Sequence, residues 1–478
     1  MLRTFDLFDT LIARRCISPL SVYEAVETIS RIPGLAESRS RAGHQLWLSQ
    51  TPHSTQDIYR LALSNMAGSP MNAAQLAQLE YEREYAECLP VLRAMDQLDR
   101  ASIVVSDMHH PAWVIERLYS GAARSFSKRW MPSIHISNQD KHNGSFWQAL
   151  ASQGLVAQHL GDNAHSDFAQ AQAHGHQATI FDWAHLQATE QSLATIGLHS
   201  VARACRSTRL QCVPQLNAPF EKILSVMCSH VVPILALGCL LLNALMKQEG
   251  KTSVVFVGRD GAVWQSVFQA IDGQTPTTRV ALSRRLMQTS PHTAVSMLKS
   301  CVSRDTLVAD LVGSGASWAD LQRTTGFAME FQLCHLLRYP SASSVANISL
   351  QSLVDFSHSP IAGMYALEAF CEESYASTCD ADWINLGKQS GFAQIRATSD
   401  DHLSLAESAA SDALHGALEC AQRELRFEMS RANDQCSIES IQALLRNLVL
   451  ELCQEFETIN ACTQFWNRNA KMATPPPS

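Results

Sequence analysis

Apolar positions along this chain follow two periods, and the changeover between them marks the elements. Residues 2–6 form a short apolar run that ends in Asp6, Asp9 and Thr10 and gives way to a polar turn, the pattern of a buried strand delivering a carboxylate to the open end of a sheet. Ser18 and Pro19 then read as an N-cap with proline in the first turn, and Val22, Val26 and Ile29 follow at helical spacing. Ser54 and Asp57 form a capping box ahead of Ile58, Leu61 and Leu63, and residues 72–98 are long, charged and periodic enough for one or two more helices. No strand-like alternation interrupts residues 15–98, which predicts a helical insert between the first strand and the second. The strand pattern resumes at 101–108, ending in Ser106 and Asp107, at 133–137, and at the short run closing on Gly161 and Asp162.

After Phe181 the sheet pattern stops, and residues 184–218 read as helix-like and then linker-like, with the linker expected at 191–218. A second α/β unit is expected at 219–345. It holds an apolar helix near 223–246 and a strand at 252–258 that runs into Arg259, Asp260 and Gly261 ahead of a helix at 262–271. A strand, a glycine turn and a helix together make a frequent anion-binding arrangement, because the helix N-terminus offers unpaired amides. The run from Thr306 repeats the design, with Asp310 followed by Gly313, Ser314 and Gly315. Arg284 and Arg285 would suit an anionic ligand. Residues 346–478 read as a mostly helical C-terminal region with a disordered tail at 471–478.

Composition narrows the class. With 478 residues, 46% of them hydrophobic and 17% charged, the chain is long enough for two or three domains of a soluble protein. The formal charge of -8 is spread without long single-sign runs, so no nucleic-acid partner is expected. Fourteen cysteines without a C-x-x-C pair, and no secretory leader, read as reduced thiols in a cytoplasmic protein. The apolar run 231–246 is short of the roughly 20 residues of a membrane span and contains Pro233 and Asn243, so a buried helix and no membrane partner are expected.

Chemistry concentrates at the ends of the first-half strands. Asp6 could attack phosphorus or hold a divalent cation. Ser106 could donate to a phosphoryl oxygen, and Lys141, in the turn after the third strand, could neutralise charge on both the carboxylate and phosphorus. Asp162 and Asp167, five residues apart in a glycine-containing turn, suit a hard cation such as Mg²⁺.

These four segments, in this order and spacing, resemble the four motifs of the haloacid dehalogenase superfamily of hydrolases, and the helical block 15–98 is similar to that family's cap. The resemblance covers residues 1–190 and implies a Rossmann-like parallel sheet with an inserted cap. It implies Asp6 as a nucleophile forming an aspartyl-phosphate, Ser106 and Lys141 holding the phosphoryl group, and Thr10 bracing the loop. Asp6, the backbone carbonyl of Phe8 and Asp162 would ligate Mg²⁺, with Asp167 as a further or water-mediated ligand. Phosphatases of the family usually carry a leaving-group acid two residues after the nucleophile, where this chain has Phe8. Asp9 should point away from Asp6 unless the chain has already turned. The substitution leaves three readings: a slow phosphatase whose substrate or cap supplies the acid, an enzyme for good leaving groups, or a domain that binds phosphate with little turnover. Carbon-halogen cleavage needs no metal, and the acidic pair Asp162 and Asp167 argues against it. His109 and His110 are either substitute acids or ordinary loop histidines.

The loops at 259–261 and 310–315 are similar to the pyrophosphate and ribose-phosphate loops of type I phosphoribosyltransferases, although Ala309 stands where that family has a second acidic residue. The expected function is thus a Mg²⁺-dependent phosphohydrolase acting on a small phosphorylated metabolite, fused to a second ligand-binding or transferase domain. The alternative is glycosyl transfer in the second domain, with the first a low-activity phosphate sensor.

Overall fold

The computed structural model describes residues 1–64, 66, 69–124, 130–212, 218–258, 260–339, 350–356, 366–371, 378–386, 389–396 and 405–462. The expected tail and Arg259 lie outside them. The chain is mixed α/β with parallel sheets and divides into two compact units, Met1–Gln191 with Leu210–Val213, and Ser192–Arg209 with Pro214–Ser478.

In the first unit the strands are β1 (Leu2–Asp6), β2 (Ile12–Arg14), β3 (Cys88–Pro90), β4 (Ile103–Asp107), β5 (Ser133–Ser137), β6 (Ala157–Gly161) and β7 (Gln177–Ile180). Five of them form one parallel sheet in the order β5-β4-β1-β6-β7. The chain works outward from β1 through β4 to β5, then crosses to the other side through β6 and β7. That reversal falls between β1 and β6, and it is at the carboxyl ends of strands at such a reversal that open α/β sheets bind ligands. One face packs Phe5, Val104, Ile115, Leu118 and Tyr119, and another cluster joins Val105, Phe146, Trp147 and Leu150.

Four helices fill the interval between β2 and β3: α1 (Leu20–Ser30), α2 (Leu35–Leu48), α3 (Thr55–Ser64) and α4 (Ala73–Glu87). Ser54 and Asp57 cap α3 reciprocally, the Ser54 amide donating to Asp57 Oδ2 at 2.9 Å and the Asp57 amide to Ser54 Oγ at 3.2 Å. Asn72 and Gln75 do the same for α4. One expectation is corrected here. The block is not free of strands, because β2 pairs antiparallel with β3, matching Arg14 to Cys88 and Ile12 to Pro90. Three-residue strands are too short to show a period in sequence.

The second unit carries β8 (Ser253–Val257), β9 (Thr277–Val280), β10 (Thr306–Gly313), β11 (Gln332–Arg338) and β12 (Leu350–Asp355), all parallel in the order β12-β11-β10-β8-β9. The sheet therefore runs past the expected boundary at 345. The C-terminal region also differs from its mostly helical reading: besides helices Leu405–Met429 and Ile438–Cys462 it holds an antiparallel pair, β13 (Thr378–Leu386) with β14 (Gln389–Arg396). The expected linker at 191–218 is corrected as well. Helix His199–Leu210 runs through it, with the Ser200 amide bonded to Asp434 and Arg203 paired with Glu428 at 2.9 Å.

The apolar stretch that looked short of a membrane span belongs to a continuous 28-residue helical segment, Glu221–Gln248, long and apolar enough to cross a membrane. Of its most apolar window, 78% is buried inside the fold, as in a core helix. Pro233 is tolerated because it sits in the first turn after a π-type turn, Met227–Val231. The cysteines whose side chains are described are free thiols, most of them buried.

Candidate functional site

Three strands bring their last residues to one edge. Asp6 on β1 pairs in register with Val105 on β4, so Ser106, buried, is the next residue along that neighbouring strand. Phe5 pairs with Leu160 on the other side, and Asp162 follows the end of β6 directly. Lys141 arrives from the turn after β5, and Asp107 builds that turn. Its Oδ1 accepts from Ser137 Oγ at 2.7 Å and the Lys141 amide at 3.2 Å, and its Oδ2 accepts from the His142 amide at 2.9 Å.

The Lys141 ammonium is buried and donates to Asp6 Oδ1 and, at 2.6 Å, to Asp167 Oδ1. Asp167 lies in a π-type turn, Ala164–Ala169, whose start Asn163 caps by accepting from the amides of His165 and Ser166. Its second oxygen accepts from the Asn163 amide at 3.0 Å. Behind it stands His159, fully buried on β6, with Nε2 3.2 Å from Asp167 Oδ1 and Nδ1 3.0 Å from Thr4 Oγ1. Thr10 is fully buried, but its Oγ1 makes no hydrogen bond among the described residues, so the expected brace has no bond to act through.

Charges in this space work against one another. Burial raises Asp6 well above the usual carboxylate range, and the charges of Asp167 and Asp162 add to this against the opposing pull of Lys141. Burial, then the charges of Asp9 and Asp167, push Asp162 up to about 6. Asp167 goes the other way: burial would raise it, yet Lys141 and His159 together hold it well below the usual range. For Lys141 burial favours the neutral amine, but Asp6 and Asp167 outweigh it and keep the ammonium charged.

Carboxylate oxygens of Asp6, Asp162 and Asp167 all lie within 4.8 Å of one another, and these three groups could hold a metal ion. An all-oxygen donor set with two carboxylates raised first by burial and then by neighbouring negative charge fits a hard cation, which would offset that charge. A second cluster, Glu80, His109 and His110, has comparable spacing. Arg39 already fills it, bonded to both Glu80 oxygens at 2.8 and 2.6 Å and 2.8 Å from His109 Nε2.

Phe8 does not face open space. The Arg14 guanidinium sits over its ring at 4.9 Å and the His110 ring is 6.4 Å away. Arg14 in turn is bonded to both oxygens of Glu84 on α4, at 2.7 and 2.8 Å. Asp9 has a left-handed backbone, φ 54°, so the chain has indeed turned by that residue, and its charge bears on Asp162. Sequence reasoning assigned no part to Asp107, His159, Arg14 or Glu84. A polar residue inside an apolar strand was the available signal for His159; the partners of Arg14 and Glu84 lie 70 residues apart and gave none.

In the second unit β8 and β10 are neighbours, and the chain reverses direction across the sheet between them. Asp260 and Gly261 begin helix Gly261–Ile271 after β8. Gly313 ends β10, and Ser314 and Gly315 precede helix Ala316–Thr325, with Gly315 at φ 82° where only glycine is unstrained. Asp310 is not in this loop. It lies within β10 and accepts from Trp318 Nε1 at 3.1 Å, with His335 Nε2 3.2 Å away. Arg284 and Arg285 are exposed in the first turn of helix Arg284–Thr289. No family model matches the chain, and no curated protein matches it.

Proposed function

We propose that residues 1–190 are a phosphohydrolase of the haloacid dehalogenase type, with helices α1–α4 as its cap, acting on a small phosphorylated substrate. The observation that carries this reading is the convergence of Asp6, Ser106, Lys141, Asp162 and Asp167 on one edge of a parallel sheet, with Lys141 bonded to both Asp6 and Asp167. Phosphoryl transfer depends mainly on positioning and on neutralising charge, and these groups supply both. Asp6 is the nucleophile. Ser106 and Lys141 hold the phosphoryl oxygens, while Asp107 holds the Lys141 turn in place. Asp6, Asp162, Asp167 and the Phe8 carbonyl would hold Mg²⁺, which supplies charge neutralisation and orientation of the phosphoryl oxygens when bound.

The second unit is proposed to bind a phosphorylated or nucleotide ligand at the crevice between the ends of β8 and β10. The paired glycine turns ahead of two helices support that reading. Phosphate release by wild type and Asp6→Asn, with and without Mg²⁺, tests the hydrolase. Metal-dependent release that vanishes in the variant is expected; release unaffected by the substitution would exclude it.

A further inference from the structure

We propose, resting on the reading of Asp6, Asp162 and Asp167 as a cation site, that Thr4 and His159 are positioning residues for it. They form a neutral, buried pair that keeps the Asp167 carboxylate aimed at a divalent cation when Lys141 no longer can. Thr4 on β1 and His159 on β6 are matched partners in the parallel sheet, and both are fully buried.

Asp167 meets two kinds of donor. Its Oδ2 accepts from the Asn163 amide, while its Oδ1 is shared between the Lys141 ammonium at 2.6 Å and His159 Nε2 at 3.2 Å. A divalent cation among the three carboxylates repels the ammonium, which is also bonded to Asp6. A neutral imidazole carries no charge to be repelled, so its hold on Asp167 outlasts that of the lysine. Burial is the largest influence on His159 and lowers its proton affinity against the opposing pull of Asp167, which keeps the ring neutral near pH 7.

A neutral imidazole has one N–H, and the nitrogen that carries it decides what the ring can do. Nδ1 lies 3.0 Å from Thr4 Oγ1. With the Thr4 hydroxyl donating to Nδ1, the proton stays on Nε2 and faces the carboxylate; the other tautomer would set a lone pair against it. Trp147 holds the imidazole in a T-shaped contact, 4.8 Å between centroids, and its Nε1 donates to the Ser166 carbonyl at 3.0 Å, one residue before Asp167. Strand, ring and turn are thus tied together. At 3.2 Å from Oδ1, Nε2 is off the axis of a full hydrogen bond and makes none among the described residues. A carboxylate freed from Lys141 can turn to complete that bond. Asp162 also meets an imidazole, His185 at 3.3 Å, but that ring is half exposed and water competes for it.

The test is calorimetric titration of the full chain with Mg²⁺, beside urea unfolding in metal-free buffer. It compares wild type, Asp162→Asn, His159→Gln, Thr4→Val and the double variant Thr4→Val with His159→Leu. The double variant replaces both polar partners by apolar groups, so the metal-free fold should stay nearly as stable as wild type. Its Mg²⁺ affinity should fall about 10- to 100-fold. His159→Gln keeps an N–H donor and should retain most of the wild-type affinity. Thr4→Val alone should lose less than the double variant, and it decides the matter if the double variant does not fold. Wild-type affinity in the folded double variant, or in Thr4→Val where the double variant is unfolded, overturns this inference alone. So does an equal loss in His159→Gln and the double variant, since shape rather than a donor would then be at work. Mg²⁺ binding that is absent from wild type, or unchanged in Asp162→Asn, overturns the cation site together with it.

Discussion

Gly161 lies so close to Asp167 that a β-carbon on residue 161 would come within 2.5 Å of the Asp167 carboxyl carbon. The last residue of β6 is therefore glycine for the sake of a carboxylate six positions later. Gly161→Ala is expected to displace Asp167 from Lys141, destabilise the first unit by about 1–3 kcal/mol and lower phosphate release more than stability alone explains. Urea unfolding beside turnover at a temperature where the variant stays folded would check this; full turnover would show that Asp167 need not sit where it does.

Lys141→Met removes the cation shared by Asp6 and Asp167 and leaves two buried carboxylates facing each other. A loss of about 3–5 kcal/mol is expected in metal-free buffer. Mg²⁺ should restore part of it, so the midpoint of thermal unfolding should rise more with added Mg²⁺ in the variant than in wild type.

Mg²⁺ binding should be visible without turnover. A site at 100 times its dissociation constant stabilises the folded state by about 2.7 kcal/mol. Asp162→Asn, at the rim of the three carboxylates, should abolish that increment while leaving the metal-free protein folded, as calorimetric scans with and without Mg²⁺ would show.

Glu84 sets a pH window. Its folded-state value of about 2 lies below its ordinary 4.5, so the folded protein binds the proton less readily than the unfolded chain does. The resulting stability, roughly 3 kcal/mol, is fully present above about pH 4.5 and is lost as the pH falls toward 2. Unfolding free energy measured across that range should fall with a shallower slope in Glu84→Gln than in wild type.

Much of the first unit was legible in the sequence because its signals are local. Residues 133–137 carry an apolar pattern that matches β5, and Ser54 and Asp57 are three residues apart in a cap that needs only those two. Glu80 and Glu84 show the opposite case. The sequence marks them only as part of a long, charged, periodic stretch, and their buried partners Arg39 and Arg14 arrive from 41 and 70 residues away. Asp310 looked like a loop residue because glycines follow it, yet β10 continues past it to Gly313 and Trp318 covers its carboxylate. Helix His199–Leu210 falls in a stretch that read as helix-like and then as a linker; its fully buried Arg209 is a feature composition does not reveal.

The pairing of β2 with β3 has a topological consequence. Because Arg14 and Cys88 are matched partners in a two-stranded ladder of their own, the points where the chain enters the helical block and leaves it are about 5 Å apart. To the parallel sheet, α1–α4 are in effect a single long loop between neighbouring points. Exchanging that excursion for another of different length changes the entropy of closing it only logarithmically, by about 0.6 kcal/mol per doubling. The sheet can thus remain one folding unit while whatever is threaded through the clasp is remodelled.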